Sequence, residues 1–407
     1  MAIEVRACKA NEMNRFLDTC QRSFHQHLRD IEIARDTKLL PPERAFAAFD
    51  GEDIVGTAGA FQFSLSIPGG EVPVAGVTMV GVLPSHRRKG IMSGLMRFQV
   101  DDARERNEPI SILLASEDAI YQRFGYGLAA DQGHIDVERD RAHWLDDPGP
   151  EGKTRLVSLE EAMKHIPAIY DRVREQTPGM FARSTDWWEH HTLTDDEEVR
   201  RGTGPMFCAV LEIDGREEAY ALYRVKHDWP EGMPRGRLIV KEAMGVNPVA
   251  AREIWRFLFG IDLVDRVEAW LLPADFPIYL MMLEPRRLRY TFGDSLWLRL
   301  VDVRFALGAR SYTREGSIAI QVVDTFCPWN EGTWRVSFDG RVASVEATEE
   351  DADLRLDVRD LAAVYLGGFS FARLALAGRA QELRAGTLVR ADEMFRTERA
   401  PWCPEIF

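Results

Sequence analysis

With 407 residues the chain is too long for one ordinary core, which predicts two or three domains. No apolar run approaches the length of about 18 residues that a spanning helix needs, and the N-terminus MAIEVRACKANE lacks a signal-peptide core. Fifty-one basic residues against 65 acidic ones give a net charge of −14, which argues against a nucleic-acid partner and mildly favours a cationic substrate.

The chain opens on a strand, IEVRACKA, and a helix, NEMNRFLDTCQRSF, capped at Asn11. The stretch HQHLRDIEIARDTKLLPPER (25–44) is polar and interrupted. A hairpin turning at Asp50-Gly51 follows, then the strand EVPVAGVTMVGVLP. In VGVLPSHRRKGIMSGLM (80–96) the apolar run ends at Pro84 and Gly90 opens a long helix on which Ile91, Leu95 and Met96 fall at helical spacing. The first N–H groups of such a helix lack intrahelical partners and its dipole favours an anion. Arg87, Arg88 and Lys89 add positive charge, and Gly90 admits a close approach to the backbone. This combination suits a pyrophosphate. In PISILLASEDAIYQRFGYG (109–127) a buried strand, Ile110 to Leu114, precedes a short helix. Ser116 is its expected cap, with Glu117 and Asp118 in the first turn. Tyr121 and Phe124 lie on that helix, and Gly125-Tyr126 starts the next strand.

Arg87-x-x-Gly90 after a strand, with Tyr121-x-x-x-Gly125-Tyr126 downstream, resembles the two acetyl-CoA motifs of the GNAT superfamily of N-acetyltransferases. The order of strands and helices follows the same arrangement. Met92 stands where that family usually has a small residue, with Ser93 and Gly94 just beyond. The resemblance implies that acetyl-CoA is held by the backbone of Val80, Gly81 and Val82 and by the loop Arg87, Arg88, Lys89, Gly90, Ile91, Met92 and Ser93, with Ser116 and Glu117 alongside. It also implies that Tyr121 protonates the departing CoA thiolate. A phenol of pKa about 10 can serve a thiol of about 8.5. In that family the early polar segment walls the acceptor-amine site, where Asp30, Glu32 and Asp36 would attract a polyamine.

HWLDDPGPEGK (143–153) is a turn-rich linker, so the first domain is expected to span 1–145. The same rhythm then repeats over 153–290: the helix VSLEEAMKHIPAIYDRVREQTPG, a hairpin turning at Asp214-Gly215, the strand RLIVKEAMGVNP, the helix VAAREIWRFLFGID and the strand RVEAWLLP. Its turn Val246-Asn247-Pro248 has neither Arg-x-x-Gly nor a basic cluster. A degenerate second GNAT-like domain is expected, unable to hold acetyl-CoA there. In the third region, 295–407, four segments alternate at period two and read as half-exposed antiparallel strands: GSIAIQVVD, GTWRVSFDG, RVASVEATEE and ADLRLDVRD. Two glycine-stopped helices, DLAAVYLGG and SFARLALAG, follow. This region resembles a sterol-carrier-protein-like domain. The fold class expected is therefore α+β: two tandem GNAT-type domains, the second degenerate, and a sterol-carrier-like α+β domain.

This succession, with SEDAIYQRFGYG, YALYRV (220–225), SLWLRLVDV (295–303) and a terminal phenylalanine, is similar to the Eis (enhanced intracellular survival) family. The resemblance implies a homohexamer that acetylates primary amines of polycationic small molecules, aminoglycoside-like or polyamine, within a ternary complex. It also implies that the α-carboxylate of Phe407 is the general base. Thr78 to Leu83 and Ile110 to Ala115 contain no Asp, Glu or His that could take that role. The tail EMFRTERAPWCPEIF is expected to be helical and docked, since apolar residues at a terminus are seldom left in water. Phe24, Gln26, Met79 and Leu114 complete the expected acceptor pocket. Leu114 stands where aminoglycoside-acetylating members can carry histidine, Met79 replaces a pocket aromatic, and Gln26 stands where an acid can occur. Two alternatives remain open: a protein lysine Nε-acetyltransferase, and a non-catalytic lipid carrier. Five dispersed cysteines without Cys-x-x-Cys suggest reduced thiols in a cytoplasm, and nine histidines without His-x-x-x-His suggest no metal site.

Overall fold

A computed structural model describes residues 3–407, which fall into two compact units. The first comprises the chain up to Ala129, Leu296–Glu398 and Ile406–Phe407; the second comprises Ala130–Ser295 and Arg399–Glu405.

In the first unit, β1 (Glu4–Ala7), β2 (Ala45–Asp50), β3 (Asp53–Ile67) and β4 (Gly70–Val82) pair antiparallel in sequence order. β5 (Ile110–Leu114) joins β4 in parallel, but only along Val74–Gly76, and β6 (Gly127–Leu128) lies at the far edge. Helices α1 (Met13–Ser23), α2 (Asp30–Leu39), α3 (Ile91–Glu105) and α4 (Asp118–Tyr121) complete this part. The helix α1 starts after a short 3-10 turn at Ala10–Glu12 rather than at an Asn11 cap, because Glu12 accepts from the Lys9 amide (2.8 Å) and pairs with Arg6. The segment expected to be interrupted contains α2. Its inward positions are Glu32 and Asp36, bound to Arg29 and Arg35, so no apolar stripe betrays the helix. The helix α3 buries Ile91, Leu95, Met96 and Val100 against the sheet, each worth about 1.5–3 kcal/mol relative to exposure.

The second unit repeats this topology. β7 (Asp131–Glu138), counted with the first domain in the sequence reading, instead pairs with β12 (Val264–Pro273) of the second sheet. β8 (Lys153–Val157), β9 (Met206–Ile213), β10 (Arg216–Lys226) and β11 (Gly236–Gly245) run antiparallel in order, and β11 meets β12 in parallel. β13 (Thr291–Asp294) closes the edge beside β7. The helix α5 (Leu159–Arg174) is capped by Ser158 and Glu161, and the Pro248–Phe259 helix by Asn247.

The chain then returns to the first unit. β14 (Leu296–Leu300), assigned from sequence to the third domain, is inserted between β5 and β6. β15 (Gly316–Val323), β16 (Gly332–Phe338), β17 (Ala343–Ala347), β18 (Leu354–Asp357) and β19 (Ala380–Glu382) form a separate five-stranded sheet. The expectation of wholly antiparallel strands fails at β15 and β18, which are parallel. The glycine stops hold: Gly367 and Gly378 both have positive φ after their helices. The expected helical tail ends at Phe395, and Pro401 and Pro404 keep the last segment non-helical.

Arg299 on β14 is fully buried and pairs with Asp324, and its guanidinium fills the space beside Gly125. A Cβ at Gly125 would lie 1.4 Å from Arg299 Nη1, and φ there is +82°. Gly125→Ala is therefore expected to cost more than about 2 kcal/mol and to lower Tm by about 5 °C or more. Thermal unfolding checks this, and a Tm within about 1 °C of the parent would contradict it.

Candidate active site

The site originates in one irregularity of β4. Thr57 faces Gly81 and Gly59 faces Thr78, so Met79 and Val80 together oppose a single residue of β3. Met79 adopts φ +53°, and its carbonyl accepts a 2.8 Å hydrogen bond from Thr57 Oγ1. β4 pairs with β5 only as far as Gly76, three residues before this bulge, and the two strands then part. Leu83 N–H bonds to Val55 C=O at 3.0 Å on the β3 side. By alternation along the strand, the polar groups of Val80 and Val82 turn the other way, into the gap.

Around this gap lies a cavity of about 570 Å³. Of the residues expected to form the site, Phe24, Val80, Gly81, Val82, Arg87, Arg88, Gly90, Ile91, Met92, Ser93, Ser116 and Glu117 line it. The end of α1 reaches the cavity because residue 81 is glycine: a Cβ there would lie 1.9 Å from Ser23 Oγ. Gly90 is the N-cap of α3 with φ +79°, and a Cβ there would meet nothing within 4 Å. The start of α3 is thus open to the cavity, and no side chain caps its first N–H groups. Arg87 ties the loop down by donating to Val82 C=O (3.3 Å) and Ser23 C=O (3.2 Å). Arg88, at φ +64°, is exposed.

Tyr121 lies behind this lining, 5% exposed, with its ring edge-on to Tyr126 at 6.0 Å. Burial raises its pKa above the usual phenol value despite a hydrogen bond with Ser116, so the hydroxyl stays protonated. Ser116 is not the cap of α4; Glu117 holds that position while the serine hydroxyl serves Tyr121. Phe407 lies at the fork. Its ring is 5.4 Å from that of Phe63, and a Cβ on Gly76, the last β4 residue paired with β5, would be 3.5 Å from it.

Other expected residues are not among the cavity lining. Lys89, Gln26 and Asp30 are exposed, whereas Met79 and Leu114 are half-buried. Glu32 and Asp36 are buried and close enough to Cys20 of α1 to act on its thiol. Burial raises the Asp36 carboxyl above its ordinary range. Ser23, His25, His86, Ile120 and Arg123 line the cavity without having been singled out from sequence. Arg123 lies two residues past Tyr121, in the short turn that follows its helix, and donates to Met92 Sδ at 3.4 Å. His25 gave no signal, because its entry depends on a positive φ (+60°) just after α1. Among the described residues no His, Cys, Asp and Glu cluster could hold a metal ion. No helix among them is long and apolar enough to cross a membrane.

Residues 4–129 and 179–300 each match a family model for an acetyltransferase (GNAT) domain, and residues 303–404 match a sterol carrier protein domain. A Streptomyces avermitilis protein named an uncharacterized N-acetyltransferase is 40% identical over 410 residues, covering 100% of both chains. N-acetyltransferase Eis of Mycobacterium tuberculosis is 32% identical over 374 residues, 88% of each chain. The crystal structure of Eis1 from Mycobacterium abscessus aligns with a TM-score of 0.85 and 32% identity, covering 99% of this chain and 100% of that one. A GNAT structure from Anabaena variabilis, at 19% identity and a TM-score of 0.86, shares the fold. Identity at this level along nearly the whole length, on a fold that matches throughout, shows that the chain belongs to the Eis-like N-acetyltransferases of the GNAT superfamily, enzymes whose co-substrate is acetyl-CoA.

Proposed function

We propose that this enzyme transfers the acetyl group of acetyl-CoA to a primary amine of a polycationic small molecule, aminoglycoside-like or a polyamine, within a ternary complex. The observation that carries this reading is the convergence on one cavity of the β4 edge at Val80 and Val82, the open start of α3 at Gly90, and the Ser116–Glu117 turn. The strand edge suits the pantetheine amides, which can pair with it as a short extra strand. The helix start with Arg87 and Arg88 suits the pyrophosphate. The acceptor nitrogen attacks the thioester carbonyl, the N–C bond forms and the C–S bond breaks. Tyr121 gives its proton to the departing thiolate, for which burial keeps it protonated. The α-carboxylate of Phe407 takes the proton that the amine loses. The net charge of −14 favours a cationic acceptor. Release of CoA thiol from acetyl-CoA, measured across a panel of aminoglycosides and polyamines, tests this. Amine-dependent release with an N-acetylated product is expected, and release independent of any amine would contradict the reading.

Gly90→Ala adds a methyl group to open space, so the fold should lose only about 1–2 kcal/mol from the positive φ. The KM for acetyl-CoA is expected to rise about 10-fold or more, since every 1.4 kcal/mol of binding is tenfold. An unchanged KM would remove this loop from the site. Tyr121→Phe should lower kcat by about 10² or more, with acetyl-CoA affinity retained; activity within about twofold of the parent would leave the tyrosine a packing role.

Deleting Phe407 moves the terminal carboxylate by up to about 3.5 Å of chain, and a C-terminal fusion converts it to an amide. Either change should leave a folded protein that binds acetyl-CoA and scarcely turns over, while an N-terminal tag is harmless. Full activity in an uncleaved C-terminal fusion would send the search for the base elsewhere.

A further inference from the structure

The second unit contains the same parting of strands, and it is filled. On β11, Glu242 faces Leu222 and Val240 faces Tyr223, so Lys241 is an extra residue, as in the bulge of β4. Past it, β11 no longer pairs with β12, whose partners end at Val240 and Ala269. What remains open between them is a cavity of about 40 Å³, against about 570 Å³ in the first unit. Trp402 and Ala400 of the tail stand in its wall with Met244, Gly245 and Leu272. The helix start that would face a pyrophosphate is closed. The Asn247 side chain accepts from Ala250 N–H at 2.9 Å, and Pro248 has no N–H to offer.

The tail is held there by specific bonds. Trp402 N–H donates to Pro178 C=O at 2.8 Å, and its indole N–H donates to Leu271 C=O at 2.5 Å. The Ala400 N–H donates to Asp275 Oδ2 at 2.9 Å. A Cβ at Gly179 would come within 3.0 Å of the Trp402 carbonyl, so glycine lets the tail lie close. Three residues on, the buried Glu405 carboxylate pairs with the buried side chain of Arg183 and lies 3.4 Å from His191 Nδ1. Arg183 also pairs with Glu242, immediately after the bulge of β11.

We propose that the strand gap of the degenerate second GNAT-like unit, which in the first unit is the acetyl-CoA site, serves as the seat for the chain's own tail, and that Trp402 and Glu405 are positioning residues for the terminal carboxylate. The positioning half of this statement rests on the reading of Phe407 as the general base. Two residues separate Glu405 from the terminus, so a fixed Glu405 confines the carboxylate to a radius of at most about 7 Å of chain.

Amide hydrogen exchange of residues 400–405, kcat and the acetyl-CoA Kd are measured on the full chain for three variants: Trp402→Ala, Trp402→Phe, and a chain with two glycines inserted between Glu405 and Ile406. For Trp402→Ala, exchange of the tail amides should quicken about 10-fold or more and kcat should fall about 10-fold or more, with Kd unchanged. Trp402→Phe keeps a ring and loses the bond to Leu271, so it should be intermediate in both; it supplies the result if Trp402→Ala does not fold. The insertion should leave exchange of 400–405 slow while kcat falls. Tail amides that stay slow in both tryptophan variants would overturn the seat. Fast tail amides with parental kcat would overturn the positioning role. Parental kcat in the insertion variant, with the tail still protected, would overturn the reading of the base while leaving the seat standing.

Discussion

A single extra residue in β4 controls what the first unit can do. Two parallel strands of equal length would exchange all their backbone hydrogen bonds and leave nothing for a ligand. Pairing of β4 with β5 ends at Gly76, the bulge at Met79–Val80 follows in the unpaired stretch, and Thr57 holds the bulged carbonyl in place. The positive φ of Met79 costs about 1–2 kcal/mol, and the burial of Val77, Val80 and Val82 in the surrounding core offsets it. The result is a strand edge inside the protein rather than at its rim, which is where Phe407 and the start of α3 are gathered.

The second unit has this geometry too, with a different surrounding. It has the same bulge, now at Lys241, and the same parting of strands. Lys241 is half-buried, donates to His191 and Thr192 carbonyls, and its amine is pushed down to about 8 by desolvation. What differs is the start of the following helix. Gly90 leaves free N–H groups facing open space, whereas Asn247 and Pro248 consume or remove theirs. Two residues at a helix cap thus separate an open helix start from a closed one.

Much of this was legible in the sequence. The Gly90 cap, both hairpin turns and the absence of a basic cluster at Val246–Pro248 are local signals, and the structure places them as read. What was not legible depends on partners far away in the chain. The helix α2 faces inward with carboxylates paired to Arg29 and Arg35, which reverses the polarity on which periodicity relies. LWLRL falls within the region read as the third domain, and nothing in it says that β14 enters the first sheet between β5 and β6. The bulge of β4 leaves no mark in VTMVGV, since a methionine at positive φ is dictated by its neighbours rather than by its own preference.

In the proposed reading, acetyl-CoA completes the strand edge at Val80 and Val82. Amide hydrogen exchange of Val80 and Val82, with and without saturating acetyl-CoA, tests it most directly. Slowing by about 10-fold or more at both amides, with no comparable change at Glu242–Gly245 of the second unit, is the expected result. Unchanged exchange at Val80 and Val82 in a protein shown to be saturated would contradict it.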